Sequence, residues 1–319
     1  MRSLITGGAG FIGSHLADHL IDRGDDVVVL DDLSTGRFAN IEHLRDHDRF
    51  TFRLGTVTDR ADVDAAMHRC GRVFHLAAAV GVELIVSEPL QSLRTNIVGS
   101  EVVIDTALKH GAAVLVTSTS EIYGKNVDGP LKEGDDRILG SPLTARWSYS
   151  TAKAIEEILA YTYWREKGLA TVIVRLFNTV GPRQTGAYGM VIPRFAAQAV
   201  RAEPLTVHGD GQQSRCFVHV ADIVPTLVDL LDDPRAHGQV FNLGGSDEIT
   251  MEELARRVVA LAGTDAKITF VPYHQAYEHG FEDMQRRLPD CTKVAELVGF
   301  APTRSLDDII GEVLAEQRS

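Results

Sequence analysis

The first half of the chain alternates short apolar runs with longer segments in which apolar residues recur every three or four positions. The short runs are rich in β-branched residues and predict strands at residues 3–6, 27–30, 50–54, 73–76, 113–117 and 172–174. The longer segments predict helices at residues 11–22, 61–70, 90–110 and 150–167. Strands that alternate with helices pair in parallel, and the helices cover both faces. The pattern predicts an α/β fold built on a Rossmann-type, doubly wound parallel sheet.

The pattern changes after Asn178, where glycine and proline become frequent and the periodic segments become shorter. Thr250 and Glu253 have the spacing of a capping box, which predicts that a helix begins there and covers residues 251–262. We expect residues 1–177, joined by residues 218–243, to form a dinucleotide-binding domain. Residues 178–217 and 244–319 are expected to form a smaller α/β substrate domain beside the carboxyl ends of the strands, where such sheets bind ligands.

Composition argues against several classes of protein. The 319 residues carry a formal net charge of −12, whereas a nucleic-acid binder needs a basic face. Three cysteines, Cys70, Cys216 and Cys291, are too few and too scattered to predict a disulfide framework or a zinc site. No apolar run approaches the roughly 20 residues that span a bilayer, and the first residues do not resemble a signal peptide. We therefore expect a soluble cytoplasmic protein without a metal site.

A glycine-rich turn follows the first predicted strand and opens the first predicted helix. Gly8, Gly10 and Gly13 satisfy the pattern G-x-G-x-x-G, which lets the backbone approach a pyrophosphate at a helix N-terminus. Glycines also recur in turns for structural reasons alone. Here, however, the acidic pair Asp31-Asp32 follows at the end of the second strand, where a carboxylate can hold ribose hydroxyls and repel a 2′-phosphate. The arrangement favours NAD over NADP, although Arg37 stands nearby and could accept a 2′-phosphate.

Tyr149 and Lys153 lie four residues apart and therefore on one face of a predicted helix. A phenol normally ionises near pH 10, too high for a base at neutral pH. A lysine ammonium and the positive nicotinamide of NAD⁺ both favour the phenolate, so the pair can supply a base near pH 7. Tyrosine and lysine occur at this spacing by chance on many helices. The glycine turn upstream favours the catalytic interpretation.

The motifs together give a resemblance to the extended short-chain dehydrogenases/reductases, in particular the nucleotide-sugar epimerase, dehydratase and decarboxylase branch. The matching segments extend through essentially the whole chain: the glycine turn, residues 75–78 (HLAA), Asn96 with Gly99, residues 118–124 (STSEIYG), Tyr149 with Lys153, Asn178 with residues 181–183 (GPR), residues 215–222 (RCFVHVAD) and residues 287–290 (RLPD). The resemblance implies NAD as the cofactor and a nucleotide sugar as the substrate.

The resemblance also assigns residues to the two ligands. It implies cofactor contacts for Gly7, Gly10, Phe11, Ile12, Gly13, Asp31, Asp32, Ser34, Thr35, Gly36, Thr56, Val57, Leu76, Ala77, Ala78, Asn96 and Thr117, together with Tyr149 and Lys153. It implies substrate contacts for Asn178, Arg183, Val191, Arg194, Val207, Arg215 and Arg287, of which Arg215 and Arg287 would hold the diphosphate and residues 205–208 the uracil. One departure occurs at Thr56, where the family usually has an aspartate that holds the adenine amino group. A threonine hydroxyl can still accept a hydrogen bond.

Three residues after the fifth predicted strand bear on the reaction. Thr119 corresponds to the residue that hydrogen-bonds the sugar 4-oxygen, and Ser120-Glu121 resembles the UDP-glucuronate decarboxylases. The 4,6-dehydratases carry Asp-Glu at these two positions, so dehydration is disfavoured. Glu121 could also be an ordinary solvated carboxylate beside a turn. Residues 280–290 likewise resemble relatives that act on uronates.

Over its whole length, the chain resembles bacterial proteins grouped as NAD-dependent nucleotide-sugar 4-epimerases. We therefore expect a UDP-glucuronate 4-epimerase that acts through a transient 4-keto sugar and forms UDP-galacturonate. The first alternative is a UDP-glucuronate decarboxylase, and the second is a UDP-glucose 4-epimerase. Two further alternatives are a non-catalytic sensor of NAD or a nucleotide sugar and a general alcohol dehydrogenase.

The family analogy also predicts a homodimer. The helical stretches near 90–110 and 150–165 correspond to those that form a four-helix dimer contact in the family. Their apolar residues could equally face the sheet of the same chain, so the pattern alone leaves the partner open. These residues are Ile97, Val98, Val102, Val103, Ile155, Ile158 and Leu159.

Overall fold

A seven-stranded parallel sheet organises the N-terminal part of the chain, and the predicted fold class is confirmed. The structure is a computed structural model, and it describes residues 1–79, 89–144, 146–186, 190–276 and 283–318. The sheet contains β1 (Arg2–Thr6), β2 (Asp26–Asp31), β3 (Phe50–Leu54), β4 (Arg72–His75), β5 (Ala113–Thr119), β6 (Thr171–Leu176) and β11 (Gln239–Leu243). Their spatial order is β11-β6-β5-β4-β1-β2-β3, which places the reversal of strand order between β1 and β4.

Helices cover both faces of this sheet, as the alternation of elements predicts. The described helices are α1 (Phe11–Asp22), α2 (Arg60–Met67), α3 (Pro89–His110), α4 (Arg146–Lys167), α5 (Val191–Val200), α6 (Val220–Asp232), α7 (Met251–Ala262), α8 (Tyr273–Ala276), α9 (Thr292–Val298) and α10 (Leu306–Arg318). One apolar cluster packs α1 and α6 on the sheet, and a second cluster packs α2, α3 and α4 on the opposite face. The strands are therefore apolar on both sides, which explains their continuous β-branched runs.

The remaining described strands are short and lie outside the large sheet. They are β7 (Thr179–Val180), β8 (Leu205–His208), β9 (Ser214–Cys216), β10 (Val218–His219), β12 (Glu248–Thr250), β13 (Ile268–Val271) and β14 (Arg286–Arg287). They form three small groups, β7 with β10, β8 with β13, and β12-β9-β14. A separate apolar cluster joins α5, α7 and α10 beside them. The strand β11 returns to the large sheet, where it pairs with β6.

Two predicted helices have different ends in the structure. The helix α4 begins at Arg146 rather than residue 150, so Tyr149 lies inside its first turn. The helix α2 ends at Met67 rather than residue 70, because His68 leaves the helical conformation and Arg69 has a φ of 61°. The capping box is confirmed, since Thr250 and Glu253 each hydrogen-bond the backbone of the other at the start of α7. Within the described ranges, no helix is long and apolar enough to cross a membrane.

Candidate active site

A cavity of about 740 Å³ lies at the carboxyl ends of the strands, where the strand order reverses. Its walls come from the glycine turn after β1, from the ends of β2, β4, β5 and β6, and from α5, β8 and β9 on the other side. Open α/β sheets bind ligands at this position because neighbouring loops diverge there and leave a crevice. Residues 187–189 lie outside the described part of the chain.

The glycine turn at one end of the cavity is built for close backbone packing. Gly7 has a φ of 71°, and a Cβ there would lie 2.7 Å from the backbone nitrogen of Ala77. A Cβ on Gly13 would lie 2.3 Å from the carbonyl oxygen of Gly7. The turn therefore brings the N-terminus of α1 to the cavity, and a pyrophosphate can approach the exposed backbone N–H groups without a side chain in the way. The residues present fit a dinucleotide.

The acidic pair after β2 shapes the loop beside the glycine turn. The carboxylate of Asp31 accepts hydrogen bonds from the backbone N–H groups of Ala9 (2.9 Å) and Leu33 (2.8 Å). Burial raises the pKa of Asp31, and the neighbouring Asp32 acts in the same direction. Asp32 accepts from the N–H and the hydroxyl of Ser34. Both carboxylates also line the cavity, where the sequence analysis expected the ribose.

Most of the predicted cofactor residues meet around this cavity, and two do not. The lining includes Gly7, Gly10, Phe11, Ile12, Gly13, Asp31, Asp32, Ser34, Thr35, Gly36, Val57, Leu76, Ala77, Ala78, Thr117, Tyr149 and Lys153. Thr56 is absent from the lining: its N–H donates to Asp62, and its hydroxyl bonds that of Thr58. Asn96 is buried behind the wall, and its side-chain amide holds both backbone groups of Ala79. Its role here is to shape the wall.

Tyr149 and Lys153 stand together on α4 at the edge of the cavity, and both are buried. The ammonium of Lys153 donates to the carbonyl oxygen of Thr117 at 2.7 Å and to the carboxylate of Glu156 at 2.6 Å. Burial raises the pKa of Tyr149 well above its usual range, and the carboxylates of Glu121 and Glu156 add to that effect. The sequence analysis considered Lys153 but missed Glu156. Its spacing of three residues from Lys153 was the available signal.

The predicted catalytic segment begins at the end of β5 and faces an arginine from β14. The hydroxyl of Thr119 accepts from the N–H of Glu121 and caps a 3₁₀ turn over Ser120–Tyr123. Arg287 lies 3.4 Å from the hydroxyl of Ser120 and 3.5 Å from the carboxylate of Glu121. Its other terminal nitrogen lies 3.4 Å from the side-chain oxygen of Asn178. Arg287, which the family resemblance assigns to the diphosphate, therefore also stands beside the predicted catalytic residues.

The other predicted substrate residues also line the cavity. They are Asn178, Arg183, Val191, Arg194, Val207 and Arg215. Arg215 pairs with the carboxylate of Asp283 at 3.1 Å, and Tyr273 donates to the same carboxylate at 2.7 Å. The sequence analysis missed Tyr273, which belongs to no recognisable motif, and it gave no role to Asp283 within the segment 280–290. Residues 280–282 of the segment 280–290 lie outside the described residues.

Two of these arginines have polar partners that fix their direction. Arg194 lies 2.8 Å from the ring nitrogen of His208 and donates to the hydroxyl of Thr206. Burial and the Arg194 guanidinium lower the pKa of His208 to about 4, so its ring is neutral at pH 7. Arg183 pairs with Asp18 of α1 at 2.8 Å. Arg194 and Arg215 thus provide positive charge at the end of the cavity away from the glycine turn.

A parallel sheet of this strand order, with a buried tyrosine and lysine one helical turn apart beside the glycine turn, defines the class of the extended short-chain dehydrogenases/reductases. Within that class, residues 4–313 match the family model described as GDP-mannose 4,6 dehydratase. The chain belongs to this family, and the resemblance inferred from the motifs is confirmed.

Similar proteins whose functions are known act on nucleotide sugars. The chain is 38% identical to the UDP-N-acetyl-alpha-D-glucosaminuronate decarboxylase of Bacillus cytotoxicus, over 98% of this chain and 96% of that protein. It is 36% identical to UDP-glucuronic acid decarboxylase 1 of Arabidopsis thaliana, over 100% of this chain and 70% of that protein. Among solved structures, the UDP-glucose 4-epimerase of Thermotoga maritima with UDP-glucose matches with a TM-score of 0.90 and 30% identity, over 100% and 99% of the two chains.

The prediction that this protein is a UDP-glucuronate 4-epimerase is wrong. The similar proteins found by sequence are named as uronate decarboxylases, at identities of up to 38% over nearly the whole chain. The physical reason for the error is that both reactions begin with the same oxidation at C4. The shared motifs therefore do not distinguish them, and the Ser120-Glu121 pair was the better guide. The prediction of NAD as cofactor agrees with NAD-bound structural relatives, such as the UDP-glucose 4-epimerase of Thermus thermophilus, which has a TM-score of 0.88 and 26% identity over 100% and 99% of the two chains.

Proposed function

We propose that this protein is an NAD-dependent decarboxylase of UDP-glucuronate. The observation that carries the proposal is the position of Arg287, which lies against Ser120 and Glu121 at the end of the cavity that holds Tyr149. A guanidinium beside the reacting sugar suits a substrate that bears a carboxylate, because it can bind both carboxylate oxygens. The names of the similar proteins support the same reaction.

The cofactor that fits the proposal is NAD. The glycine turn and the N-terminus of α1 would hold its pyrophosphate, and Asp31 and Asp32 would receive the ribose hydroxyls. When bound, NAD would supply a reversible hydride acceptor for C4, so the net reaction would need no external oxidant. The enzyme should therefore not accumulate NADH, unlike a general alcohol dehydrogenase.

Residues of the chain itself transfer the protons of the proposed reaction and hydrogen-bond the sugar. Tyr149 takes the proton of the 4-hydroxyl group, and Thr119 hydrogen-bonds the 4-oxygen. The resulting C4 ketone is β to the C6 carboxylate, so the C5–C6 bond breaks, its electron pair forms the enolate, and CO₂ leaves. Protonation at C5 then restores the ketone. Glu121, held 3.5 Å from Arg287, is the carboxylate that we assign to the relay of this proton from solvent to C5.

Substrate binding then divides between the two ends of the cavity. Arg215 and Asn178 would hold the diphosphate, and Val191 and Val207 would contact the uracil, as the family resemblance implies. Arg215 is already oriented by Asp283, so little side-chain entropy is lost when it binds an anion. We propose the corresponding division of the chain: residues 1–177 with 218–243 bind NAD, and residues 178–217 with 244–319 bind the nucleotide sugar.

A second substrate deserves the same test. The similar decarboxylase of Bacillus cytotoxicus is named for UDP-N-acetyl-alpha-D-glucosaminuronate, which carries an acetamido group at C2 in place of a hydroxyl. The oxidation at C4 and the loss of CO₂ would be the same. The two candidate substrates differ only in the group at C2. Competition between them therefore measures directly which of the two the pocket around C2 prefers.

The experiment that tests the proposal follows the sugar by proton NMR. Purified protein is incubated with UDP-glucuronate and catalytic NAD⁺, and in parallel with UDP-N-acetylglucosaminuronate and with UDP-glucose. We expect a UDP-pentose and one equivalent of CO₂ from UDP-glucuronate, with no lasting NADH absorbance. UDP-glucuronate that remains unchanged while UDP-N-acetylglucosaminuronate loses CO₂ would transfer the assignment to the second substrate. Absence of CO₂ from both uronates would contradict the proposed reaction.

We further propose that two copies associate through α3 and α4. These helices pack against each other and carry exposed apolar side chains, with Val98 41%, Ile158 62% and Tyr161 43% exposed. Val102 and Val103 of the same predicted set are buried against the sheet of their own chain. The exposed residues form an apolar surface. A second copy, related by a two-fold axis, can pack the same surface against it.

A further inference from the structure

A buried carboxylate that the proposed reaction does not use lies behind the catalytic pair. Glu156 follows Lys153 by one turn of α4, and its side chain is 0% exposed. One carboxylate oxygen lies 2.6 Å from the ammonium of Lys153, which is itself 2% exposed. A carboxylate removed from water is very unfavourable unless an opposite charge compensates it. Lys153 provides that charge.

The other oxygen of Glu156 faces a group that carries no charge. It lies 3.6 Å from the Nε2 atom of His75, which is 0% exposed at the end of β4. Burial and the ammonium of Lys153 lower the pKa of His75 to about 3, so its ring is neutral. The ring is held by the hydroxyls of Thr6 at 2.7 Å and Ser100 at 3.0 Å.

The remaining charged groups near Tyr149 have cationic partners of their own. Glu157, the next residue on α4, forms an ion pair with Arg175 at 2.8 Å. Glu121 lies 3.5 Å from Arg287. Besides burial, Glu121 nevertheless raises the pKa of Tyr149, and Glu156 acts in the same direction. Burial also raises the pKa of Glu156 itself, and Lys153 opposes that shift.

This arrangement changes what Lys153 can do for Tyr149. An uncompensated ammonium favours the phenolate, whereas an ammonium bound to a carboxylate has most of its field cancelled. In the protein alone, ionisation of Tyr149 would leave a net negative charge in a buried site. A further positive charge is required before the phenolate becomes stable.

We propose that Glu156 is a positioning residue that neutralises Lys153 and so keeps Tyr149 as a phenol until the positively charged ring of oxidised NAD occupies the site. The base would then form only with the cofactor that can accept a hydride. The inference rests on Tyr149 as the base of the proposed function, but it concerns the ionisation of Tyr149 and can be measured without any substrate.

The test follows the ionisation of Tyr149 by NMR in protein that carries ¹³C at Cζ of tyrosine. Tyr149→Phe identifies the resonance. Glu156→Gln removes the negative charge but keeps an oxygen for Lys153. The matched control, Glu157→Gln, removes one negative charge at the next residue. Without cofactor, we expect Tyr149 to ionise at least about one pH unit lower in Glu156→Gln than in the wild type, because an opposite charge nearby commonly shifts a pKa by 1–3 units. Glu157→Gln should stay close to the wild type. An unchanged Tyr149 resonance in Glu156→Gln contradicts the proposal.

Three further measurements separate charge from packing. Glu156→Asp keeps the charge and should keep the wild-type titration, whereas an aspartate variant that behaves like Glu156→Gln would contradict the proposal. In the wild type, NAD⁺ should lower the pH at which Tyr149 ionises and NADH should not, since only NAD⁺ carries the ring charge. Equal effects of the two cofactors contradict the proposal even if a variant fails to fold. With UDP-glucuronate as substrate, the acidic limb of the pH profile of kcat should move to lower pH in Glu156→Gln, while KM should stay unchanged.

These readouts keep the two proposals distinguishable. If UDP-glucuronate is not decarboxylated but Tyr149 titrates as expected, the substrate assignment fails and the role of Glu156 stands. If decarboxylation occurs but Glu156→Gln leaves Tyr149 unchanged, the function stands and the role of Glu156 fails.

Discussion

Two buried tyrosines near the end of β5 show how single residues of one type acquire different roles. Tyr123 donates to the side chain of Asn242 at 2.7 Å and accepts from Arg175 at 2.9 Å, so its hydroxyl serves the core. Tyr149 instead lines the cavity next to Lys153. The difference lies in position, since both side chains are almost completely buried.

We expect Tyr149→Phe to lower kcat by about 10²–10⁴-fold, because general base catalysis contributes that much. Binding of UDP-glucuronate, measured by calorimetry, should stay within about threefold of the wild type, since the ring is kept. Tyr123→Phe is the matched control. It should retain kcat and lose about 1–3 kcal/mol of unfolding free energy, because Arg175 and Asn242 lose a buried partner. Retained turnover in Tyr149→Phe would refute its role as the base.

The two adjacent arginines of β14 allow a similarly matched comparison. Arg287 lies at Ser120 and Glu121, whereas Arg286 forms an ion pair with Glu248 at 2.7 Å. We expect Arg287→Ala to weaken binding of UDP-glucuronate by about 10–100-fold, as for the loss of about 1.5–3 kcal/mol from a hydrogen bond to a charged group. Binding of UDP, which lacks the uronate, should change much less.

Arg286→Ala should leave the affinities for both ligands within about twofold. Equal losses for UDP and UDP-glucuronate in Arg287→Ala would instead support the original assignment of Arg287 to the diphosphate. Isothermal titration of the four combinations distinguishes these results.

Among the elements of secondary structure, β1, β4 and α3 are connected through the side chain of His75. It ends β4, bonds Thr6 at the end of β1, and bonds Ser100 in the middle of α3. Burial and the Lys153 ammonium lower the pKa of His75 to about 3, so the ring is neutral at pH 7. In the unfolded chain the same ring ionises near pH 6.5.

The free energy of unfolding should therefore fall as the pH is lowered from about 6.5 towards 3, since the unfolded state binds a proton there that the folded state does not. The contribution of His75 has a slope of at most about 1.4 kcal/mol per pH unit. We expect His75→Asn, which cannot titrate, to show a shallower decline between pH 7 and 5 in urea unfolding experiments. A variant as steep as the wild type would show that His75 is not the source.

The elements themselves could largely be predicted from the sequence. All six predicted strands occur, and the predicted helices are present, some of them with shifted ends. Periodicity encodes which residues share a face, so it predicts these segments well. Helix ends depend on single residues and their contacts: α2 stops at Met67 because the backbone turns at Arg69. The start of α4 at Arg146 has no comparable signal in the sequence.

For the whole molecule, the proposed dimer predicts one further result. Ile158 is 62% exposed on α4, and a charge in a two-fold interface would face its own copy. We expect the wild type to be a dimer by light scattering at micromolar concentration and Ile158→Glu to be a monomer. Leu261→Glu, an exposed leucine on α7, should remain dimeric as the control. A monomeric wild type would overturn the proposal.

Hydrophobic periodicity and the spacing of motifs were enough to predict the parallel sheet, the glycine turn and the Tyr149–Lys153 pair. Each of these patterns involves residues within a few positions of one another. Arg287 reaches Ser120 across 167 positions, and His75 meets Glu156 from another element. Only the tertiary structure decided these contacts, since they arise when loops from separate strands converge at one edge of the sheet. The local pattern therefore defined the family. The convergence of distant side chains placed the guanidinium of Arg287 beside Ser120 and Glu121, and the ring of His75 beside Glu156.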